Sequence, residues 1–340
     1  MLKNNNFFIN FSIKSNQFSK NLKKTKKAFN SIKLDLKNFK IPLLESYSKD
    51  YMLDFSPTMV KKFSNYKNIV IIGMGGSVLG TKSIYSFFKT KIKKKVFFFD
   101  DLDEDLYSQF YKIKNLKNSC IIIVSKSGNT LETITNFDLI FSKSLFKNKL
   151  IFITEIRDNA LNDIAHKFNA DIIEHKEFIG GRYSVLSEVG MFPAALMGLN
   201  VNKFKNLERL IKNKKFVSFL IKNVASIYTL STHGKKNSVI LNYNSYLGDL
   251  GYWYQQLVAE SLGKSGNGIT PILSPVPKDH HSILQLYLDG PKDKFFTFFS
   301  STKSAIHYKT STNIFPKNMK FLKNKKLENI IEAQCNAVKN

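Results

Sequence analysis

The chain has 340 residues, enough for one large domain or two of ordinary size. Hydrophobic residues make up 43% and aromatics 13%, with only 8 Pro and 16 Gly, which excludes global disorder and a collagen-like fibre. The formal charge is +26, yet of 52 basic residues only Arg157, Arg182 and Arg209 are arginine. Reading bases and phosphates through planar contacts favours guanidinium groups, so the charge reads as a chain-wide lysine bias. Nucleic acid and membrane are therefore not expected as partners, although a basic surface can steer an anionic metabolite. Cys120 and Cys335 are too few for a disulfide scaffold and too isolated for a metal cluster. No run approaches the ~18 apolar residues that cross a bilayer, and the expectation is a soluble cytosolic protein.

Residues 1–34 contain no Asp or Glu, and a basic stretch runs over Lys23–Lys27. Neither a compact apolar core nor a small-residue cleavage site marks a secretory signal. This lead-in is expected to be loosely packed or an amphipathic helix without a catalytic role. Then short apolar runs alternate with helical periodicity. Strands are predicted at Asn68–Ile72, Val96–Phe99, Cys120–Val124, Leu150–Thr154 and Ala170–Ile173. Helices are predicted over Val78–Phe88 and Leu131–Leu145, and the acid-rich Asp100–Tyr107 begins a helix or a loop. Continuous apolar strands separated by helices indicate a mostly parallel sheet covered on both faces. Helical stretches at Glu188–Leu199 and Phe204–Leu230 lead to a second series. It consists of a strand at Ser238–Tyr243, a helix at Tyr246–Leu262 interrupted by Gly248 and Gly251, a strand at Phe295–Phe299 and a helix at Lys325–Val338. Two α/β domains follow, at roughly 41–185 and 205–340.

Two loops follow predicted strands. Gly73-Met74-Gly75-Gly76-Ser77 joins a strand to a helix, where free N–H groups and the helix dipole favour an anion. It is equally readable as a tight structural turn, and it lacks the endings of a P-loop or a dinucleotide fingerprint. Ser125-Lys126-Ser127-Gly128-Asn129-Thr130 places three hydroxyls within six residues at a helix start. Hydroxyls and N–H groups can surround a phosphate without a metal, and the same residues can simply cap the helix. Loops at equivalent ends of neighbouring strands favour a phosphorylated substrate over a nucleotide.

Further along, Arg182 follows two glycines and reads as an electrostatic clamp or as half of a buried salt bridge. Gln256 and Glu260 are four apart and share a helical face. A carboxylate there can move a carbon-bound proton if it lies by an apolar wall, or be ordinary surface charge. His280 and His281 are adjacent, so their side chains diverge. With His166, His175, His233 and His307 they show no metal-ligand spacing; one histidine poised for proton transfer is the alternative to a surface or cap role.

Taken in order, these segments resemble the phosphoglucose isomerase family. Ile71–Gly80 is similar to its first sugar-phosphate loop and Ser125–Thr133 to its phosphate-cradling loop. Gly180–Gly190 resembles its arginine signature, Gln256–Lys264 its glutamate segment, and Asp279–Ser282 with Gln285–Gly290 its histidine segment. The resemblance implies an α/β fold of two sugar-isomerase α/β/α sandwich domains with mostly parallel sheets. It divides the chain into a lead-in (1–40), a first domain (41–185), a linker helix region (186–204) and a second domain (205–340). It also implies a homodimer with active sites between domains, completed by the partner subunit. The implied reaction interconverts glucose 6-phosphate and fructose 6-phosphate, in glycolysis and gluconeogenesis, with no metal or organic cofactor.

Carried over by position, Gly76, Ser77, Ser125, Lys126, Ser127 and Thr130 would bind the substrate's phosphate. Gln256 would position the open-chain sugar, and Glu260 would carry the proton between C2 and C1. Arg182 would stabilise the cis-enediolate, and His281 would assist ring opening. Ile330–Gln334 resembles an internal helix of the family, so the second domain is expected to lack a later Gly-x-x-x-Gly-Lys-like segment whose lysine joins ring opening. The competing readings are a non-catalytic or weakly active sugar-phosphate-binding protein and an isomerase for another hexose phosphate.

Overall fold

The apolar runs become parallel strands in two separate sheets. The computed structural model describes residues 15–38, 40–112, 116–142, 150–205, 208–301, 308–311 and 314–339. The chain divides into two units, Met1–Tyr85 with Ile92–His233, and Ser86–Lys91 with Gly234–Asn340.

The first unit begins with α1 (Ser15–Lys37) and α2 (Pro57–Ser64). There follow β1 (Asn68–Gly73), α3 (Leu79–Phe88), β2 (Lys95–Phe99), α4 (Glu104–Tyr111), β3 (Ser119–Val124), α5 (Leu131–Ser142), β4 (Leu150–Thr154), α6 (Ala160–Lys167) and β5 (Asp171–Glu174). The five strands pair in parallel in the order β2-β1-β3-β4-β5. Successive residues of each strand point to opposite faces, and both faces are apolar. Ile69, Ile71, Ile122, Val124, Ile151 and Ile153 meet Phe63 of α2 on one face. The same layer is completed by Val189, Phe192 and Leu196 of α7 (Glu188–Leu196). On the other, Val70, Ile72, Ile121, Ile123 and Phe152 meet Phe110 of α4, Phe137 and Ile140 of α5, and Leu161 and Ala165 of α6. That arrangement is a sandwich of helices around a sheet.

The unit closes with α8 (Glu208–Lys212) and α9 (Lys214–Thr232). The single helix expected over Phe204–Leu230 is broken because Asn213 caps α9, accepting from Lys215 N and Phe216 N at 3.0 and 3.1 Å. Helix α1 packs on α9, with Asn21 Nδ2 donating to Thr229 Oγ1 at 2.9 Å in a buried contact. Residues 143–145 of the expected α5 span lie outside the described residues. Helix α4 starts later than the acid run, at the residue after its cap Asp103.

The second unit contains β6 (Asn237–Asn242), α10 (Gly248–Leu262), β7 (Thr270–Pro275), α11 (Leu284–Asp289), β8 (Lys294–Phe299) and α12 (Leu327–Lys339). Its strands are parallel in the order β7-β6-β8, around Val239, Leu241, Tyr243, Val276, Tyr287 and Cys335. Strand β7 was not anticipated. Pro271 and Pro275 disguise it, and both are tolerated because β7 pairs on one side only, as an edge strand. Nor does Gly251 interrupt α10: a β-carbon there would lie 2.5 Å from Leu273 Cδ1, so the glycine lets the helix approach β7. Both units thus have parallel sheet cores, in agreement with tandem α/β/α sugar-isomerase domains. Among the described residues, no helix is long and apolar enough to cross a membrane.

Candidate functional site

Gly73 on β1 pairs in register with Val124 on β3, so the two predicted loops leave the same edge of adjacent strands. After β1 the chain turns tightly through Gly75–Ser77, with Gly75 at φ +51° and Val78 N donating to Gly75 O at 3.0 Å. Ser77 is buried. Gly76 abuts the next segment that matters, a short 3-10 turn over Gly181–Leu186 that carries Arg182. Ser184 Oγ donates to Gly76 O at 3.3 Å and to Gly181 O at 2.7 Å, tying the turns together.

The loop after β3 is folded around Ser125. Its Oγ lies 2.8 Å from Thr130 Oγ1 and accepts from Gly128 N at 3.2 Å. Ser127 Oγ accepts from Asn129 N at 3.3 Å. Gly128 sits at φ +71°, a conformation that favours glycine. Ser125 is buried as a brace, while Lys126, Ser127 and Thr130 line a cavity of about 520 Å³. Gly76, Ser77 and Gly181 also line it, so both predicted loops and the arginine segment converge on one space.

Three charged residues on the same cavity escaped sequence reading: Glu155, Arg157 and Glu177. Glu155 and Arg157 follow β4 directly, making a third strand-end loop at that edge. Lys126 Nζ donates to Glu177 O at 2.6 Å and stands 3.4 Å from Glu155 Oε1, while Arg157 Nε lies 2.8 Å from Glu155 Oε2. Buried His175, just beyond β5, is held neutral: burial lowers its pKa to about 4, and the Lys126 charge works the same way.

Arg182 places its guanidinium over the Tyr183 ring, 4.7 Å from the centroid, a cation–π contact. Its segment is anchored by Glu188 at the start of α7. The buried Glu188 carboxyl accepts from Tyr51 Oη at 2.9 and 3.0 Å and from Asp54 N at 3.0 Å. Desolvation raises the Glu188 pKa, opposed by those bonds, and burial beside Glu188 raises that of Tyr51.

In the second unit, Gln256 Nε2 donates to Glu260 Oε1 at 2.8 Å on α10, so the two do share a helical face. Glu260 is exposed rather than set against an apolar wall. His280 and His281 lie in a 3-10 turn over Lys278–His281. Tyr243 Oη and His280 Nε2 share a hydrogen bond of 2.9 Å whose donor follows the histidine tautomer, and burial pushes the Tyr243 phenol up to about 12; His281 is exposed. Asp279 braces the turn, accepting from Ser274 Oγ at 2.7 Å and from Ser282 Oγ at 3.4 Å. Among the described residues no group of three or more His, Cys, Asp or Glu could hold a metal ion. His307 lies outside the described residues.

Residues 50–271 match the family described as Phosphoglucose isomerase. The chain is 39% identical over 268 residues to the glucose-6-phosphate isomerase of Methanocaldococcus jannaschii, covering 75% of this chain and 65% of that protein. It is 30% identical over 299 residues to the glucose-6-phosphate isomerase of Campylobacter jejuni, covering 84% and 73%. The chain spans 58% of a probable glucose-6-phosphate isomerase of Methanococcus maripaludis. Among solved structures, a hypothetical protein of Thermus thermophilus shares the fold with a TM-score of 0.79 at 20% identity, covering 95% of this chain and 82% of that one. A glucose-6-phosphate isomerase of Chlamydia trachomatis shares it with a TM-score of 0.67 at 18% identity, covering 83% and 57%.

Proposed function

The chain belongs to the phosphoglucose isomerase family, and from that premise we propose that it interconverts glucose 6-phosphate and fructose 6-phosphate through a cis-enediolate. The observation that carries this reading is the meeting of two strand-end hydroxyl loops and the Gly181 turn on one cavity in the first unit. Ser77, Ser127 and Thr130 supply hydroxyls, Gly76 lets the backbone come close, and Lys126 supplies charge. Ser125 shapes the loop that presents them. Gripping the phosphate orients a part of the substrate that does not react, and that binding energy is then available for chemistry at C1 and C2.

In this reading Glu260 removes the C2 proton and returns it to C1, with Gln256 fixing its carboxylate. Proton loss puts negative charge on the neighbouring oxygen, and Arg182 stabilises it as it develops. His281 assists ring opening, which precedes proton transfer. The chemistry needs no cofactor, and the working assembly is a homodimer. A coupled assay with fructose 6-phosphate tests the activity: NADPH formed by glucose-6-phosphate dehydrogenase reports turnover. Mannose 6-phosphate and an amino-sugar phosphate in parallel establish selectivity. A second reading, a sugar-phosphate-binding protein with little turnover, is favoured by the exposure of Glu260. The same assay, paired with a binding measurement, separates the two.

A further inference from the structure

We propose that Arg157 is a second cation of the phosphate cavity, donating to the phosphate oxygens from the loop after β4. The inference rests on the functional reading above for the identity of the anion and adds a ligand to it.

Charge is the first reason. Lys126 is already engaged, with its ammonium on Glu177 O at 2.6 Å and 3.4 Å from the Glu155 carboxylate. Lys126 and Arg157 share the single buried Glu155 carboxylate, at 3.4 and 2.8 Å, so one positive charge of the pair is offset and the other is left for an anion. Lys126, Glu155 and Arg157 together carry +1, and without Arg157 they carry none. Glu177 lines the same cavity, and counting its carboxylate makes the deficit deeper. The neutral His175 behind Lys126 adds no charge.

Position is the second. The Arg157 backbone is fixed to an extent that a surface arginine does not require. Its carbonyl accepts from Asn159 Nδ2 at 3.0 Å and Asn162 Nδ2 at 2.6 Å, and both asparagines are buried. They also donate to Glu155 O, at 3.1 and 2.9 Å. The same turn is locked to the phosphate loop: Glu155 N donates to Lys126 O at 3.2 Å, Leu161 N to Gly128 O at 3.1 Å, and Ala160 N to Asn129 Oδ1 at 2.9 Å. Gly128 packs so tightly on Asn159 that a β-carbon there would lie 2.0 Å from its Oδ1. These bonds join the two loops, and buried polar groups place Arg157 on the cavity wall.

Chemistry is the third. Arg157 Nε stands 2.8 Å from Glu155 Oε2 as an ion pair, and the terminal nitrogens of a guanidinium carry the N–H pairs that suit a phosphate's paired oxygens. Lysine cannot reproduce that fork. Arginine is scarce in this chain, with three against 49 lysines, so its use at the cavity wall fits a need for planar, paired donors.

The test is isothermal titration calorimetry of the full chain with inorganic phosphate and with fructose 6-phosphate, for wild type, R157Q, R157K and K167Q. Lys167 is exposed at the end of α6 and controls for an equal loss of overall charge. R157Q should weaken both ligands about 10- to 100-fold, the range for hydrogen bonds to charged groups. Its melting temperature should stay within about 2 °C of wild type, because the Arg157 side chain is more than half exposed and Glu155 keeps Lys126 as a partner at 3.4 Å. R157K should recover part of the affinity and K167Q should match wild type. Where turnover is measurable, R157Q should raise KM with kcat nearly unchanged. R157Q binding within twofold of wild type overturns the proposal, as does a wild type that binds neither ligand. Binding without turnover would count against the isomerase reading alone, and the Arg157 comparison would still decide this one.

Discussion

The α-carbon of Gly76 rests against the Gly181–Arg182 peptide, where a β-carbon would lie 2.3 Å from the Gly181 carbonyl carbon and 2.5 Å from Arg182 N. Both neighbours are backbone, so no side-chain rotation relieves the overlap. The turn that presents Ser77 and the turn that carries Arg182 are therefore held by this close approach together with the Ser184 Oγ bond to Gly76 O. Gly76→Ala should lower stability by about 1–3 kcal/mol, the usual cost of overpacking. It should also reduce kcat by tenfold or more, because a displacement of either turn misaligns groups that act together. Urea unfolding and steady-state kinetics read the two effects, and a variant with unchanged stability and kcat would contradict the contact.

Ser125 is a brace within its loop. Ser125→Ala removes the partner of the Thr130 hydroxyl at 2.8 Å and one acceptor of Gly128 N. A stability loss of about 1 kcal/mol is expected, typical of one neutral hydrogen bond. The loosened loop should raise KM for the sugar phosphate more than it lowers kcat. Inorganic phosphate, used as a competitive inhibitor, should weaken in parallel with KM.

Glu188 gives the fold a pH dependence of known sign. Burial raises its carboxyl pKa above the ordinary 4.5, so the native state holds this proton more tightly than the unfolded chain does. Its stabilising contribution is complete below the unfolded value and is lost as pH rises through the raised native one. Glu188→Gln keeps an oxygen for Asp54 N and carries no charge. From about pH 4.5 upward, the stability of wild type relative to E188Q should therefore fall. Urea unfolding of both proteins between pH 4 and 8 checks this, and a constant difference across the range would refute it.

The first sheet was legible because Asn68–Ile72 and Cys120–Val124 are continuous apolar runs that only a doubly covered strand requires. The two hydroxyl loops were legible because each begins where such a run stops. Strand β7 was hidden by its prolines, which an edge position excuses. Glu155 and Arg157 were hidden for another reason: Glu155-Ile156-Arg157-Asp158 reads as a solvated charged turn, and only the sheet order places β4 beside β3. Glu188 enters the sequence reading only as the first residue of a helical stretch. Nothing in the sequence announces Tyr51, its partner 137 residues earlier. Local pattern marks the loops, and long-range strand pairing brings Glu155 and Arg157 to the same cavity.

One carboxylate, Glu260, is proposed to carry hydrogen between adjacent carbons of a hexose phosphate. Incubating the full chain with fructose 6-phosphate in D2O and following the sugar carbons by NMR tests it most directly. Wild type should place solvent deuterium at C1 of fructose 6-phosphate and C2 of glucose 6-phosphate, and E260Q should slow both exchanges by about 10²–10⁴-fold, the usual share of a general base. E260Q that exchanges at the wild-type rate, or wild type that leaves both positions unlabelled without isomerising the sugar, would contradict the account.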